Sequence, residues 1–284
     1  MLGRMKFGVN TWIWAANFDP KIVPLEAIKK SGIDGIEVPM FDPQNFDVEA
    51  VKKAQRDWDL GCTVCGPNPA GLNPISEDPA VRGRSIEHWK RAAEATSRAG
   101  VRILAGPVYA PVGYLPGRRR TAEEWEWAVE FLRALVPTLR DCGVTLGVEP
   151  LNRFETYFLN LAADAVKLVE EVGSPEVGIL FDTFHANLEE KDVAAAYRQC
   201  GRHLVHVHAC ENDRGVPGTG HVDWKGVFAS LKAMGYDGWL TIESFNSTIK
   251  ELAAATAIWR DLAPKLDDIA FEGSAFLKRM AAEA

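Results

Sequence analysis

Short apolar segments alternate with amphipathic segments along the whole of this 284-residue chain. The amphipathic segments have helical periodicity, and most of them end on glycine, as helix C-termini do. Eight apolar segments are rich in β-branched residues and have the length of buried strands: 6–14, 35–40, 62–66, 101–109, 145–151, 177–184, 204–210 and 238–245. This alternation predicts a parallel sheet, because each helix carries the chain back to begin the next strand in the same direction.

Eight strand–helix units in a chain of this length favour a closed (β/α)8 TIM barrel. The main alternative is an open doubly wound sheet that binds a nucleotide. The chain has no G-x-G-x-x-G pattern after its first strand and no G-x-x-x-x-G-K-[ST] motif, so that alternative lacks its motifs. No shift in composition marks a second domain. Residues 1–284 are therefore predicted to form a single TIM-barrel domain, with an additional C-terminal helix over 267–284.

The overall charge limits the partners that this chain can bind. A net charge of -7 and a pI near 5.5 argue against nucleic acid, which selects a basic surface. Arg118–Arg120 is the one dense basic run, and it is interpreted either as a solvated loop or as a contact for an anion such as phosphate. No apolar run is long enough to span a membrane, so no membrane partner is expected.

Cysteine usage indicates the compartment. Five cysteines, an odd number, occur in a chain that begins without a signal-peptide pattern, so a reducing, cytoplasmic location is expected. Cys62 and Cys65 have the spacing of half a metal or redox site, but no second C-x-x-C pair follows. We interpret both as cysteines of a buried strand.

Four predicted strands end on, or close to, a residue that can ligate a metal. Glu149 ends the fifth strand, Asp182 the sixth and Glu243 the eighth, and His208 lies near the end of the seventh. Their spacings of 26 to 35 residues each fit one strand–helix unit. All four side chains are therefore expected at the mouth of the barrel, which is where TIM-barrel enzymes carry their chemistry.

Three carboxylates and one imidazole at one point require a compensating charge. A divalent cation would supply it, and oxygen-rich ligation with a single nitrogen favours Mn²⁺, Mg²⁺ or Co²⁺. The alternative is a separate salt bridge for each carboxylate. His206 shares a strand face with His208 but lies one layer deeper, and it is interpreted as a core histidine with a satisfied hydrogen bond. The alternative is that His206 ligates the metal or supports one of its ligands. His185 is placed in a loop over the mouth, where it can meet a substrate.

Several segments carry a resemblance to a known family: GVEPLNRFETYFLN, FDTFHAN, HVHACENDRGVPGTGHVDW, GWLTIESF and IWRDL. They are similar to segments of the ketose 3-epimerases, the D-tagatose and D-allulose (psicose) 3-epimerase family, within the xylose-isomerase-like TIM barrels. The resemblance is strong over most of the second half of the chain. It implies an isomerase of carbohydrate metabolism that forms homodimers or homotetramers and holds one divalent ion per chain, Mn²⁺ before Co²⁺ or Mg²⁺.

The resemblance also implies roles for individual residues. It implies that Glu149, Asp182, His208 and Glu243 ligate the metal. It implies that Glu149 and Glu243 double as the catalytic pair. Substrate contacts are implied for Glu155, His185 and Arg214 at the oxygens of C1 to C3, and for a wall of Trp14, Cys65, Gly106, Pro107 and Tyr109. Without the resemblance, Arg214 would also fit a surface loop.

The expected reaction is epimerisation of a free ketose at C3 through a cis-enediolate, with acid and base on opposite faces of the planar intermediate. The same site could instead catalyse an aldose–ketose isomerisation, like hydroxypyruvate isomerase, or act as a 3-oxo-sugar lyase. An endonuclease-type barrel would need a basic face and more histidines than the six present. A binding protein without activity would not need two carboxylates beside its ligand. A phosphorylated sugar stays an alternative substrate, with Arg118–Arg120 as its candidate contact.

Overall fold

Residues 4–284, described here from a computed structural model, form a closed barrel of eight parallel strands. Each strand pairs with the next, and β8 pairs with β1 to close the sheet. The strands are β1 Lys6–Asn10, β2 Gly35–Pro39, β3 Gly61–Cys65, β4 Ile103–Gly106, β5 Thr145–Val148, β6 Val177–Asp182, β7 Leu204–His208 and β8 Trp239–Ile242. The predicted (β/α)8 TIM barrel is confirmed, and all eight predicted strands are present in the described residues.

Helices cover the outside of the barrel. They are α1 Leu25–Lys30, α2 Val48–Trp58, α3 Pro79–Arg98, α4 Ala122–Cys142, α5 Ala162–Val172, α6 Thr183–Glu189, α7 Val193–Cys200, α8 Trp224–Ala233, α9 Lys250–Thr256 and α10 Leu266–Glu283. The predicted C-terminal helix is confirmed as α10, whose buried residues Ile269, Ala270 and Leu277 pack beside β1 and β8. Within residues 4–284, none of these helices combines the length and the apolar character needed to cross a bilayer.

Two local predictions are wrong because side chains or short helices end a strand early. The first strand was expected to run from 6 to 14, but it ends at Asn10. The Asn10 side chain accepts a hydrogen bond from the backbone N–H of Trp12 at 2.9 Å and begins a 3-10 turn over Thr11–Ile13. Trp12 and Trp14 therefore do not alternate on a strand. Likewise, α6 begins directly after β6, so His185 lies in a helix and not in a loop.

The inner face of the barrel is polar just below its mouth. Asn10, Glu37 and Thr63 are aligned across β1, β2 and β3, and all three are fully buried. Because strand side chains alternate, the flanking Ile36 and Val38 point to the opposite face, towards the helices. The sheet thus separates an apolar layer under the helices from a polar layer inside the barrel, and the candidate site lies on the polar side.

Gly106 allows the ends of β3 and β4 to approach each other at the mouth. Gly106 has φ +137, and a Cβ there would lie 2.4 Å from the carbonyl oxygen of Gly66. Neither the backbone angle nor the contact tolerates a side chain. The rim of the pocket beside this point therefore depends on glycine at 106.

The substitution Gly106→Ala should lower the free energy of unfolding by about 3 kcal/mol, because it adds backbone strain and a clash with main-chain atoms. Gly71→Ala is the matched control, since Gly71 also has positive φ but a Cβ there meets nothing within 4 Å. We expect it to cost about 1 kcal/mol. Urea unfolding of both variants measures the difference, and equal losses would contradict the argument from close approach.

Candidate active site

The four strand-end residues meet at the mouth of the barrel. Asp182 and His208 are the last residues of β6 and β7, and Glu149 and Glu243 directly follow β5 and β8. One ligand atom from each lies within 4.8 Å of the other three. The Nδ1 atom of His208 is 3.6 Å from Glu149 Oε1 and 3.4 Å from Glu243 Oε2. All four residues are buried, so water does not screen their charges.

Three atoms of this cluster have no hydrogen-bond partner within the described residues. They are Glu149 Oε1, Asp182 Oδ2 and His208 Nδ1. Buried polar atoms in folded proteins are nearly always paired, so several unpaired atoms at one point call for a common partner. Two carboxylate oxygens and one imidazole nitrogen are suitable ligands for a divalent cation. The residues therefore fit a metal site.

The pKa values of the carboxyl groups also indicate that the cluster lacks positive charge. Burial raises the pKa of Glu149 to about 8, and the neighbouring charges of Glu243 and Asp182 add to the effect while His208 opposes it. Burial likewise raises the pKa of Asp182, against the charge of Arg214. Burial would raise the pKa of Glu243 as well, but the charges of His208 and Arg214 outweigh it and lower that pKa. The two glutamates thus differ in proton affinity, in the way that an acid and a base must.

Arg214 brings its guanidinium group to the site. The residue is buried, so the alternative that it belongs to a surface loop is wrong. Its Nη1 donates to Glu243 Oε2 at 2.6 Å and lies 3.3 Å from Asp182 Oδ2. The rings of Phe184 and Phe245 lie 4.1 and 5.1 Å from the guanidinium carbon. This arrangement holds the positive charge in one place against the carboxylates.

The loop that carries Arg214 is held by Glu211, a buried residue that sequence reasoning missed. Its carboxylate accepts hydrogen bonds from the backbone N–H groups of Gly218 at 2.7 Å and Val222 at 3.1 Å, and from Trp224 Nε1 at 3.0 Å. Arg214 itself has φ +62, an unusual conformation for a residue with a side chain. The only sequence signal was an acidic residue three positions after His208.

His185 is buried between the carboxylates and the loop after β5. Its Nδ1 accepts the backbone N–H of Asn152 at 3.1 Å, so the hydrogen of the neutral ring is on Nε2. Nε2 points into the site, 3.8 Å from both Glu149 Oε1 and Asp182 Oδ2. Burial, reinforced by the charge of Arg214, lowers the pKa of His185 well below its usual value. The ring is therefore a neutral hydrogen-bond donor.

A pocket leads from this cluster to the surface. Glu155 lines it, with its carboxylate held by Asn152 Nδ2 at 2.7 Å. Burial raises the pKa of Glu155, against the charge of Arg214. The outer wall is largely apolar and is formed by Trp12, Phe41, Cys65, Pro67, Pro107, Val112, Leu151, Phe245, Leu252 and Ala255.

The predicted wall is only partly present in the structure. Cys65 and Pro107 line the pocket, whereas Trp14 and Tyr109 do not. The Trp14 indole donates to Asp267 at 2.7 Å, against α10 and away from the site. The early end of β1 is the reason: it sends Trp12, and not Trp14, to the pocket. The one signal of that turn in the sequence is the asparagine at position 10.

The basic run Arg118–Arg120 lies outside the pocket and has structural partners. Arg118 forms two hydrogen bonds to Glu124, at 2.7 and 3.0 Å, and Glu124 also completes the capping box at the start of α4. Arg120 donates to Asp164 at 2.8 Å and to the carbonyl of Phe158 at 2.6 Å. Arg118 and Arg120 therefore have acceptors within the protein and need no bound anion to balance their charge.

Comparison with known proteins agrees with this geometry. The xylose isomerase-like TIM barrel family matches residues 25–279. A protein from Synechocystis sp. named probable ketose 3-epimerase is 37% identical over 278 residues, which span 97% of this chain and 96% of the relative. An L-ribulose 3-epimerase from Mesorhizobium japonicum is 34% identical over 261 residues, spanning 90% and 88%. This chain belongs to the ketose 3-epimerase family.

A solved structure of another ketose 3-epimerase supports the assignment at the level of the fold. The crystal structure of D-allulose 3-epimerase from Methylomonas sp. in complex with D-allulose superposes with a TM-score of 0.92. The two chains are 29% identical, and the match covers 98% of each. The resemblance inferred from short sequence segments is therefore confirmed over nearly the whole chain.

Cation binding to this member of the ketose 3-epimerase family should strengthen with rising pH. Burial opposes protonation of His208, but Glu243 and Glu37 raise its pKa well above the usual value, so its Nδ1 carries a proton in neutral solution when no cation is bound. A cation must displace this proton to bind Nδ1, so the Mn²⁺ affinity should rise about tenfold per pH unit through neutral pH.

Titration calorimetry with Mn²⁺ in buffers of different ionisation enthalpy measures the protons released on binding. The variant Glu149→Gln should bind Mn²⁺ more weakly, because it removes a carboxylate from the proposed ligands. An affinity that does not change with pH in this range would contradict the assigned ligands.

Proposed function

We propose that this chain catalyses the metal-dependent epimerisation of a free ketose at C3 through a cis-enediolate. The observation that carries the proposal is the pair of buried carboxyls at the base of the pocket, Glu149 and Glu243, which lie 3.6 and 3.4 Å from Nδ1 of His208. Their proton affinities are shifted in opposite directions. Proteins similar to this chain carry the names ketose 3-epimerase, L-ribulose 3-epimerase and D-allulose 3-epimerase.

The two glutamates are suited to moving the proton of C3. In one direction Glu243, as carboxylate, removes the proton, and Glu149, as carboxylic acid, delivers a proton to the opposite face. In the reverse direction the roles exchange. A divalent cation held by Glu149, Asp182, His208 and Glu243 would stabilise the negative charge that develops on the sugar oxygens.

Three further side chains would bind and orient the sugar. Arg214 offers a fixed positive charge, and His185 offers an N–H from Nε2, so both can hold oxygen atoms near C1 to C3. Glu155, whose pKa is raised, can exchange hydrogen bonds with a sugar hydroxyl. Cys65 lines the wall of the pocket and would contact the remaining carbons of the sugar. Trp14 is not among the proposed sugar contacts, because its indole donates to Asp267 and does not line the pocket.

The lining of the pocket favours a free sugar over a phosphorylated one. Among the lining residues of the described chain, Arg214 is the only lysine or arginine, and it is already paired with Glu243. A phosphate group at the outer end would meet Trp12, Phe41 and Leu252 instead of cations. Burying that charge beside apolar side chains without a partner is costly.

The remaining features of the proposal rest on the resemblance and on the types of ligand. We propose Mn²⁺ as the metal, with Co²⁺ or Mg²⁺ as alternatives, because the ligands are mainly carboxylates. We also propose a role in carbohydrate metabolism, a cytoplasmic location, a single-domain chain over 1–284 and assembly into homodimers or homotetramers.

The experiment that tests the proposed reaction follows D-fructose, D-tagatose and D-ribulose by NMR in deuterated water with the Mn²⁺-loaded protein. We expect deuterium at C3 together with the C3 epimer, and loss of both when a chelator removes the metal. Deuterium at C1 or C2 with formation of an aldose would indicate an isomerase instead. No exchange with any of the three ketoses would contradict the proposal and point instead to a phosphorylated sugar, a 3-oxo-sugar lyase or a binding protein.

The variant Glu243→Gln tests the catalytic pair. It should lower kcat about 10³-fold or more, because the site loses one of its two proton-transfer groups, while sugar binding is retained. Metal content is measured alongside, since Glu243 is also a proposed ligand. Glu272→Gln on the exposed face of α10 is the matched control and should leave kcat unchanged. Full activity of a metal-loaded Glu243→Gln would rule out the proposed mechanism.

A further inference from the structure

Another buried carboxylate, Glu37 of β2, lies inside the barrel below the four strand-end residues. It is fully buried and does not line the pocket. Its Oε1 accepts hydrogen bonds from Asn10 Nδ2 at 2.9 Å and His208 Nε2 at 2.8 Å. Its Oε2 accepts from Thr63 Oγ1 at 2.8 Å and His206 Nε2 at 2.7 Å. Four side chains thus converge on one carboxylate that takes no part in the proposed proton transfer.

The barrel brings these side chains together from distant parts of the chain. Asn10 and Thr63 are the aligned neighbours of Glu37 on β1 and β3 and face inward with it. The strand β7, which carries His206 and His208, lies three strands away from β2 around the closed sheet. The bonds from the two histidines to Glu37 therefore cross the inside of the barrel.

The hydrogen bonds identify the state of each group. Two donors approach each oxygen of Glu37 at 2.7–2.9 Å, which is the arrangement that an ionised carboxylate takes. A carboxylate can only accept hydrogen bonds, so the Nε2 atoms of both rings must carry hydrogen. The lone pair of a neutral His208 is then on Nδ1, the atom that faces Glu149 and Glu243.

We propose that Glu37 is a positioning residue, which sets the tautomer and the ring orientation of His208 for cation binding. The inference rests on the metal site of the proposed function. A carboxylate bonded to the second nitrogen of a metal-binding histidine fixes the ring and makes it a stronger ligand. Asn10 and Thr63 hold the carboxylate, and His206 occupies the second oxygen, so that Glu37 does not turn away from His208.

A second cation between Glu37, His206 and His208 is the competing interpretation of this cluster. Both oxygens of Glu37 are already engaged by four donors at 2.7–2.9 Å. A cation at this point would displace hydrogens from both rings and compete with Asn10 and Thr63 for the same oxygens. The hydrogen-bonded arrangement satisfies the carboxylate without a cation, and the unpaired atom of His208 faces the upper site.

The experiment measures the affinity for Mn²⁺ alone, by competition with a fluorescent chelator, in the wild type and in Glu37→Gln. Glutamine keeps the shape of the side chain but places an N–H₂ group where one histidine needs an acceptor. We expect the Mn²⁺ affinity to fall about 10- to 100-fold, with circular dichroism unchanged. Thr96→Val is the matched control, because it replaces a buried hydroxyl of α3 that has no hydrogen-bond partner among the described residues and does not contact Glu37. Its Mn²⁺ affinity should stay close to that of the wild type.

A spectroscopic measurement separates positioning from a merely structural role. Long-range ¹H–¹⁵N spectra of the histidine rings, recorded with the Mg²⁺-loaded protein, should show hydrogen on Nε2 and none on Nδ1 of His208. In Glu37→Gln we expect the Nε2–H pattern of at least one of the two rings to change. The wild-type spectrum decides the question even if the variant does not fold, since hydrogen on Nδ1 of His208 would overturn the inference.

The outcomes distinguish this inference from the proposed activity. A wild type that binds Mn²⁺ but epimerises none of the ketoses would refute the activity and leave the role of Glu37 standing if the variant binds Mn²⁺ more weakly. A folded Glu37→Gln with wild-type Mn²⁺ affinity would refute the positioning role whatever the activity. A wild type that binds no Mn²⁺ would refute both.

Discussion

The mutual repulsion of three buried carboxylates is the constraint on which the rest of this site depends. Glu149, Asp182 and Glu243 face one another where water cannot screen them, and within residues 4–284 the nearby positive charge comes from Arg214 and His208. Such an arrangement is unfavourable unless a cation completes it. Binding of a divalent cation would offset the electrostatic cost of holding these groups together.

The surroundings of the site keep each group in place before any ligand arrives. Glu211 ties the loop of Arg214 to the start of α8, and Asn152 orients both His185 and Glu155. Catalytic groups that are held in position in advance need little rearrangement during the reaction, which is where much of the rate enhancement of enzymes arises. The apolar outer wall contributes differently, since it excludes water without fixing the distal part of a sugar.

A polar layer inside the barrel supports the site from below. An ionised carboxylate such as Glu37 is costly to bury. Its hydrogen bonds offset that cost, because each of its two oxygens accepts two of them. The same layer would lose its function if it were apolar, because His208 would then have no acceptor for Nε2. Closure of the barrel is what makes this arrangement possible, since it brings β7 within reach of β2.

The sequence by itself determined the eight strands, the C-terminal helix and the four residues at the strand ends, because these depend on local periodicity and on a repeat of nearly constant length. Hydrophobic periodicity did not reveal the turn that sends Trp12, and not Trp14, to the pocket, or the helix that carries His185, because each begins with a hydrogen bond accepted by one side chain, Asn10 or Asp182. The tertiary structure alone decided that Glu37 meets Thr63 and His208. This outcome depends on strand register and barrel closure, which join residues 26 to 171 positions apart and leave no periodic trace in the sequence.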